Sequence, residues 1–232
     1  MRRHRRRDVL ISSRSLAEYR AMFGLSDADL TGAVLDCAAG GSSFVAELGP
    51  GADAVAVDPA YARPDVELAA ALAGDTRRCA DIAVEHADEF VWDWYRTPRR
   101  RDRMRAVAAA RFLDDKAARP ERYRAGSLPD LPFPDSGFDL VLCSHLLFTW
   151  ADPLDLQWHA NAVDELLRVA RGEVRLYPLV RRGAGEAVPF LPALREHVRA
   201  RGHRWSEEVV DFRFQRRAGV MARLVKGHLP AV

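Results

Sequence analysis

The sequence predicts an α/β fold: a mostly parallel sheet of about seven strands, helices on both faces, and an antiparallel hairpin at the C-terminal end. Three observations carry this. Short apolar runs alternate with stretches of helical periodicity, the pattern of a parallel sheet covered on both sides. The first run passes directly into small residues, VLDCAAGGSSF over 34–44. The chain ends in two apolar runs with no helical stretch between them, which places an antiparallel pair at a sheet edge.

The elements follow in order. SSRSLAEYRAMF, Ser12 to Phe23, reads as an amphipathic helix with a serine start, and Gly24 to Gly32 holds a further helical turn capped by Ser26 or Asp27. Candidate strands are Ala33 to Cys37, Ala54 to Val57, Tyr123 to Ala125, Phe138 to Cys143 and Gly172 to Pro178. Ser43 to Leu48 reads as a helix closed by Gly49-Pro50, and Leu156 to Ala170 as a longer one. Val188 to Gly202 reads as a helix before the two last strands, Arg204 to Phe214 and Arg217 to Val225, which turn at Gln215-Arg216. The interval from Asp58 to Tyr123 is too long for a plain crossover. It reads either as a helical cap inserted over the sheet's carboxyl edge, at about 75–122, or as extra helices packed on one face. Residues 1–31 form a basic arm with helices, and 32–232 the domain itself.

Composition bounds the function. The chain has 232 residues, 48% hydrophobic and 29% charged, a globular balance. The net charge of +2 argues against nucleic acid as the general partner. The cationic excess is local: MRRHRRRD, Met1 to Asp8, is a solvated terminus or an arm for an acidic partner. Cys37, Cys79 and Cys143 are widely spaced, with no Cys/His cluster for zinc. Free thiols in apolar runs fit a reducing, cytoplasmic setting. No run of about 18 apolar residues is present to span a membrane.

The small-residue stretch has a physical reading. A turn out of a strand approaches a ligand closely only if side chains are absent, and Ala38, Ala39, Gly40, Gly41 and Ser42 supply that absence. The following helix N-terminus adds backbone N–H groups. Tight packing of the chain on itself needs the same residues. The second strand ends in Asp58, whose two oxygens match the two hydroxyls of a ribose. It also suits a turn before Pro59. Together, loop and acid point to a nucleoside-containing ligand.

At this point a resemblance becomes specific. VLDCAAGGSSF, AVAVDP and AGSLPDLPFPDSGFDLVLCSHLLF resemble the class I S-adenosylmethionine-dependent methyltransferases, which are Rossmann-like. LPFPDSGFDLVL, Leu131 to Leu142, carries most of the weight. The chain is also similar to a group of bacterial methyltransferase-like proteins of unknown substrate. The resemblance spans about Gly32 to Val180. It implies S-adenosyl-L-methionine as cofactor, with Asp36 near its methionine end. It puts Ala38, Gly40 and Ser42 where the family usually has three glycines, and Asp58 on the ribose. Ser127 then faces the adenine amino group, Leu128 packs on the adenine ring, and Ser144 lies near the sulfonium.

Chemistry follows from the same placement. His145 after the fourth strand is the candidate general base. Trp92, Trp94 and Tyr95, with Tyr177, are candidate walls for a small-molecule acceptor, and core packing explains the same aromatics. RRRDR, Arg99 to Arg103, reads as a solvated helix face or an RNA contact. The expected activity is methyl transfer to a small molecule. The alternative is a non-catalytic module that keeps the fold and binds a nucleoside.

Overall fold

The structure, a computed structural model, describes residues 10–183 and 185–227. The arginine-rich arm at Met1–Asp8 lies outside the described residues. Seven strands form one sheet in the order β3-β2-β1-β4-β5-β7-β6. They are β1 (Val34–Cys37), β2 (Ala54–Val57), β3 (Tyr123–Arg124), β4 (Phe138–Ser144), β5 (Ala170–Tyr177), β6 (Arg204–Val209) and β7 (Val220–Val225). β1 to β5 run parallel, and β7 lies antiparallel to both of its neighbours. This is the Rossmann-like α/β architecture expected above. β1 and β4 are adjacent, so the chain leaves the sheet centre in opposite directions there, which makes their carboxyl ends the switch point of the sheet.

The helices are α1 (Leu16–Phe23), α2 (Phe44–Glu47), α3 (Asp65–Glu85), α4 (Pro98–Ala118), α5 (Leu156–Val169) and α6 (Leu191–Ala200). Two cores flank the sheet. One joins α5 and α6 to β4 and β5 through residues such as Val163, Leu166 and Leu194. The other joins α1, α2 and α4 to the opposite face through Tyr19, Met22, Phe23, Phe44 and Phe112. α1 therefore belongs to the same core as β1.

Several boundaries differ from expectation for physical reasons. α1 begins at Leu16 because Ser15 caps it: Ser15 Oγ accepts from Glu18 N–H, and Glu18 returns to Ser15 N–H at 2.8 Å. Residues 11–14 precede the cap as a strap over the sheet edge. The turn expected within 24–32 is a short 3-10 stretch, Ala28–Leu30, with no side-chain cap from Asp27. The final strands are shorter than expected, and residues 210–219 connect them in place of a tight turn at Gln215-Arg216. Phe212 and Phe214 drop from this connection into the core, and Val91 N–H donates to Phe214 O at 2.6 Å.

The long interval holds two helices of 21 residues each, beginning ten residues before the expected 75. α4 buries Phe112 against Tyr61 and Tyr123 on the sheet face. α3 carries Leu68 and Leu72 down onto the carboxyl edge.

Candidate functional site

Parallel strands bring the expected loop, acid and strand ends to one edge. Cys37 is in register with Val57 on one side and Cys143 on the other, so residues 38, 58 and 144 emerge together. Asp58 reaches back to the loop: its Oδ2 accepts from Gly40 N–H at 3.0 Å and its Oδ1 from Ala60 N–H at 2.8 Å. The turn role and the loop role of Asp58 thus coexist. Burial pushes its carboxyl above the usual range, while the two N–H donors and Arg63 oppose the rise.

The loop backbone is left-handed at Ala38 (φ 58°) and Gly40 (φ 57°). A Cβ on Gly40 would lie 3.0 Å from Ser12 O, and one on Gly41 would lie 2.5 Å from a Leu72 methyl. The space spared by these glycines is therefore filled by the strap and by α3. This corrects the expectation that both glycines spare space for a ligand. The expected N–H cradle is corrected in the same way. Gly41 N–H donates to Ser12 O at 3.0 Å, Ser42 N–H to Ala39 O at 3.0 Å, and Ser43 N–H to Arg14 O at 2.8 Å. Phe44 N–H donates to Ser42 Oγ at 3.1 Å, and α2 is a single turn. Residues 39–44 have no backbone donor left for an anion.

Asp36 sits inside β1, fully buried. Its Oδ1 accepts from Tyr19 Oη–H at 2.9 Å, and its Oδ2 has no partner. Burial raises its pKa to about 8, against the hydrogen bond from Tyr19 and with the help of Asp58. A buried carboxyl oxygen left without a hydrogen bond is a place where a donor belongs.

Ser127 is exposed beside the edge, and Leu128 is buried in the α5-side core, 8% exposed. Leu128 therefore presents little surface for stacking. Ser144 Oγ lies 2.8 Å from His145 Nδ1, and His145 N–H donates to Tyr177 O at 2.7 Å. His145 is itself left-handed, φ 55°. Burial, then the charges of Arg14 and Arg105, push its pKa well down, so the imidazole is neutral at pH 7. Tyr177 lies 5.3 Å from that ring, while its hydroxyl faces the carbonyls of Phe212 at 3.2 Å and Ala218 at 2.5 Å.

The expected aromatic wall is a packed cluster. Trp94 meets Tyr95 at 4.9 Å and Phe212 at 5.0 Å, and Trp92 meets Phe214 at 5.3 Å between centroids. Tyr95 is fully buried and donates to Glu18 Oε1 at 2.5 Å. Trp150 and Trp158 stand elsewhere, against Arg182 and His159. Within the basic run, Arg101 turns inward, as does Arg105 one turn later, leaving Arg99, Arg100 and Arg103 to solvent. Arg14, Glu18, Tyr19 and Arg105 carry much of the site's electrostatics, and sequence reasoning missed them. The S-x-x-E spacing from Ser15 accounts for Glu18 as a capping residue, and nothing in the pattern marks Arg14.

Among the described residues no group of three or more His, Cys, Asp or Glu is placed to hold a metal, and no helix is long and apolar enough to cross a membrane. The nucleoside fit rests on the residues present. Asp58 is half-buried and keeps one accepting position on each oxygen. Asp36 keeps one whole oxygen free. Ala38 is half-buried and Ser127 exposed.

Comparisons with known proteins agree with this architecture. Residues 100–177 match the methyltransferase domain family model. An uncharacterised protein of Methanocaldococcus jannaschii is 28% identical over 201 residues, covering 84% of this chain and 88% of its own. The magnesium protoporphyrin IX methyltransferase of Synechocystis, solved with bound SAM, superposes with a TM-score of 0.51 at 10% identity, covering 91% of this chain and 78% of that one. With its strand order and these matches together, the chain has the Rossmann-like fold of S-adenosylmethionine-dependent methyltransferases, and its residues 100–177 are similar to the methyltransferase domain family.

Proposed function

We propose that the protein transfers a methyl group from S-adenosylmethionine to a small molecule in the cytoplasm. The observation that carries this is the Gly40–Asp58 bond at the carboxyl edge of the sheet. It fixes a carboxylate with two spare accepting positions beside a loop whose own donors are all spent. Such a loop cannot grip a pyrophosphate, which separates this reading from dinucleotide binding.

The roles follow from position. Asp58 takes the ribose hydroxyls, Ser127 the adenine amino group, and Leu128 the edge of the ring. Asp36, held by Tyr19, receives the amino end of the methionine moiety on Oδ2. Ala38, Gly40 and Ser42 shape the loop, and Ser144 fixes the His145 ring. Bound S-adenosylmethionine supplies an already activated methyl group. The chain's task is therefore to aim the acceptor and exclude water. His145, neutral at pH 7, is the group to take the acceptor's proton. Tyr177 backs that ring, and Trp92, Trp94 and Tyr95 brace the wall behind it.

A second reading is supported by one observation: Ser12 and Leu72 occupy the faces of Gly40 and Gly41. A module that keeps the fold for interaction has no need to clear them. Calorimetric titration with S-adenosylhomocysteine tests both. Binding that Asp58→Ala removes is the expected result, and no heat at about millimolar ligand defeats the methyltransferase reading. Binding without turnover of methyl-labelled S-adenosylmethionine across a panel of small acceptors favours the module.

A further inference from the structure

Three guanidinium groups meet beneath the strap of residues 11–14. Arg14, Arg101 and Arg105 are 7%, 4% and 6% exposed. Arg105 Nη2 donates to Tyr95 Oη at 3.1 Å, and its Nε lies 3.2 Å from Glu18 Oε1. Arg101 donates to Cys79 O at 3.0 Å and to Asp102 at 2.9 Å. The Arg14 side chain makes no hydrogen bond among the described residues, and its nearest anion, Glu18 Oε1, is 3.6 Å from Nη1. The Nε atoms of all three arginines, Arg14 Nη1 and Ser13 Oγ are buried without a hydrogen bond, although Arg105 Nε and Arg14 Nη1 share the ion pair with Glu18. Glu18 is the one fully buried carboxylate among them. It cannot balance three cations, and Asp102 stands half in solvent. A buried, unbonded guanidinium is costly to fold and marks a place where an acceptor group belongs.

We infer that Arg14, Arg101 and Arg105, with Ser13, form a subsite for the acidic group of the methyl acceptor, a carboxylate or a phosphate. The inference rests on the methyltransferase reading for the word acceptor. Guanidinium groups are suited to such oxyanions because their planar N–H pairs match two oxygens. The position fits an acceptor because Tyr95, to which Arg105 donates, packs on Phe212 at 5.6 Å, and Phe212 packs on Tyr177, whose ring lies 5.3 Å from His145. Burial is the first cause of the lowered His145 pKa, and an anion bound between Arg14 and Arg105 offsets only the part that their charges add. Burial and the charge of Arg105 lower the Arg14 pKa, the mark of a cation short of counter-charge. The cavity between the strap, α3 and α4, bounded by Ser12, Ser13, Thr76, Cys79, Arg101 and Arg105 and not by Arg14, is about 10 Å³. That is room for a single water. Entry therefore requires the strap to lift from its bonds at Ile11 N–H to Asp75 and Gly41 N–H to Ser12 O.

The test uses the full chain and inorganic phosphate as probe, read by thermal unfolding and calorimetry. Phosphate is expected to raise the wild-type Tm, with the rise lost in Arg14→Met and kept in Arg14→Lys. Without phosphate, Arg14→Met is expected to melt higher than wild type, because an uncompensated buried charge is gone; a merely structural arginine would move Tm down. No phosphate response in wild type, or an equal response in Arg14→Met, overturns the subsite. A second arm compares S-adenosylhomocysteine with 5′-methylthioadenosine, which lacks the amino-acid portion. If Arg14→Met weakens only the former, the arginines serve the nucleoside ligand's own carboxylate and the acceptor assignment falls. If both bind the variant as they bind wild type, the assignment stands. Failure of the methyltransferase reading is seen separately, as loss of nucleoside binding in wild type, because the phosphate arm needs no nucleoside.

Discussion

Gly40 N–H donates to Asp58 Oδ2 at 3.0 Å, across 18 residues of chain, and ties the first loop of the sheet to the end of the second strand. Asp58→Ala removes this bond and the one to Ala60 together. Two backbone donors are then left without a partner, which costs about 1–3 kcal/mol for each that water does not reach. The expected outcome is a lower Tm as well as lost S-adenosylhomocysteine binding. Asp58→Asn keeps one acceptor oxygen and should fall between wild type and alanine in both readouts.

Gly40 holds a left-handed backbone with Ser12 O 3.0 Å from where a Cβ would stand. Gly40→Ala is expected to destabilise the protein by about 1–2 kcal/mol from backbone strain alone. The new methyl also presses on the strap, so amide exchange at Gly41 and Ser43, whose N–H groups bond to Ser12 and Arg14, should speed up. Unchanged exchange at these two amides would show that the strap is held elsewhere.

Asp36 gives stability a pH dependence of known sign. Its folded-state pKa is raised from 3.8 to about 8, by burial first. Its favourable contribution is therefore complete below pH 3.8 and is lost as pH rises to about 8. The loss over that window is on the order of 5 kcal/mol at most. Asp36→Asn removes the titration, so the Tm difference between variant and wild type should grow from pH 4 to pH 8. A constant difference would mean that Asp36 ionises normally. A ligand ammonium placed at Oδ2 favours the ionised form, so S-adenosylhomocysteine binding near pH 7 should release a proton, read as buffer-dependent heat.

Tyr95 donates to Glu18 and accepts from Arg105. Tyr95→Phe leaves a fully buried carboxylate short of one donor, at a cost of about 1–3 kcal/mol. If Tyr95 only braces the wall, the loss appears in Tm while KM for an acceptor stays near wild type. A raised KM with unchanged Tm would instead put the hydroxyl in contact with the acceptor.

Local pattern was enough for the sheet. β2 begins and ends where its apolar run does, at Ala54 and Val57, because a strand buried on both faces must be apolar throughout. The small-residue loop and Asp58 were legible for a similar reason: parallel strands in register deliver their ends to one edge, whatever lies above. What covers that edge was settled only by tertiary packing. Ser12, Leu72 and Tyr61 reach Gly40 and Gly41 across 21 to 31 residues of chain, contacts that no local periodicity encodes. Trp92 and Trp94 are indistinguishable in sequence from a ligand wall. They became a core because the connection at 210–219 brings Phe212 and Phe214 against them. Arg14 and Arg105 sit in stretches that read as ordinary charged helix. Their burial around Glu18 follows from how α1 and α4 meet over the strap, and burial, not residue type, is what turns a surface charge into a demand for an anion.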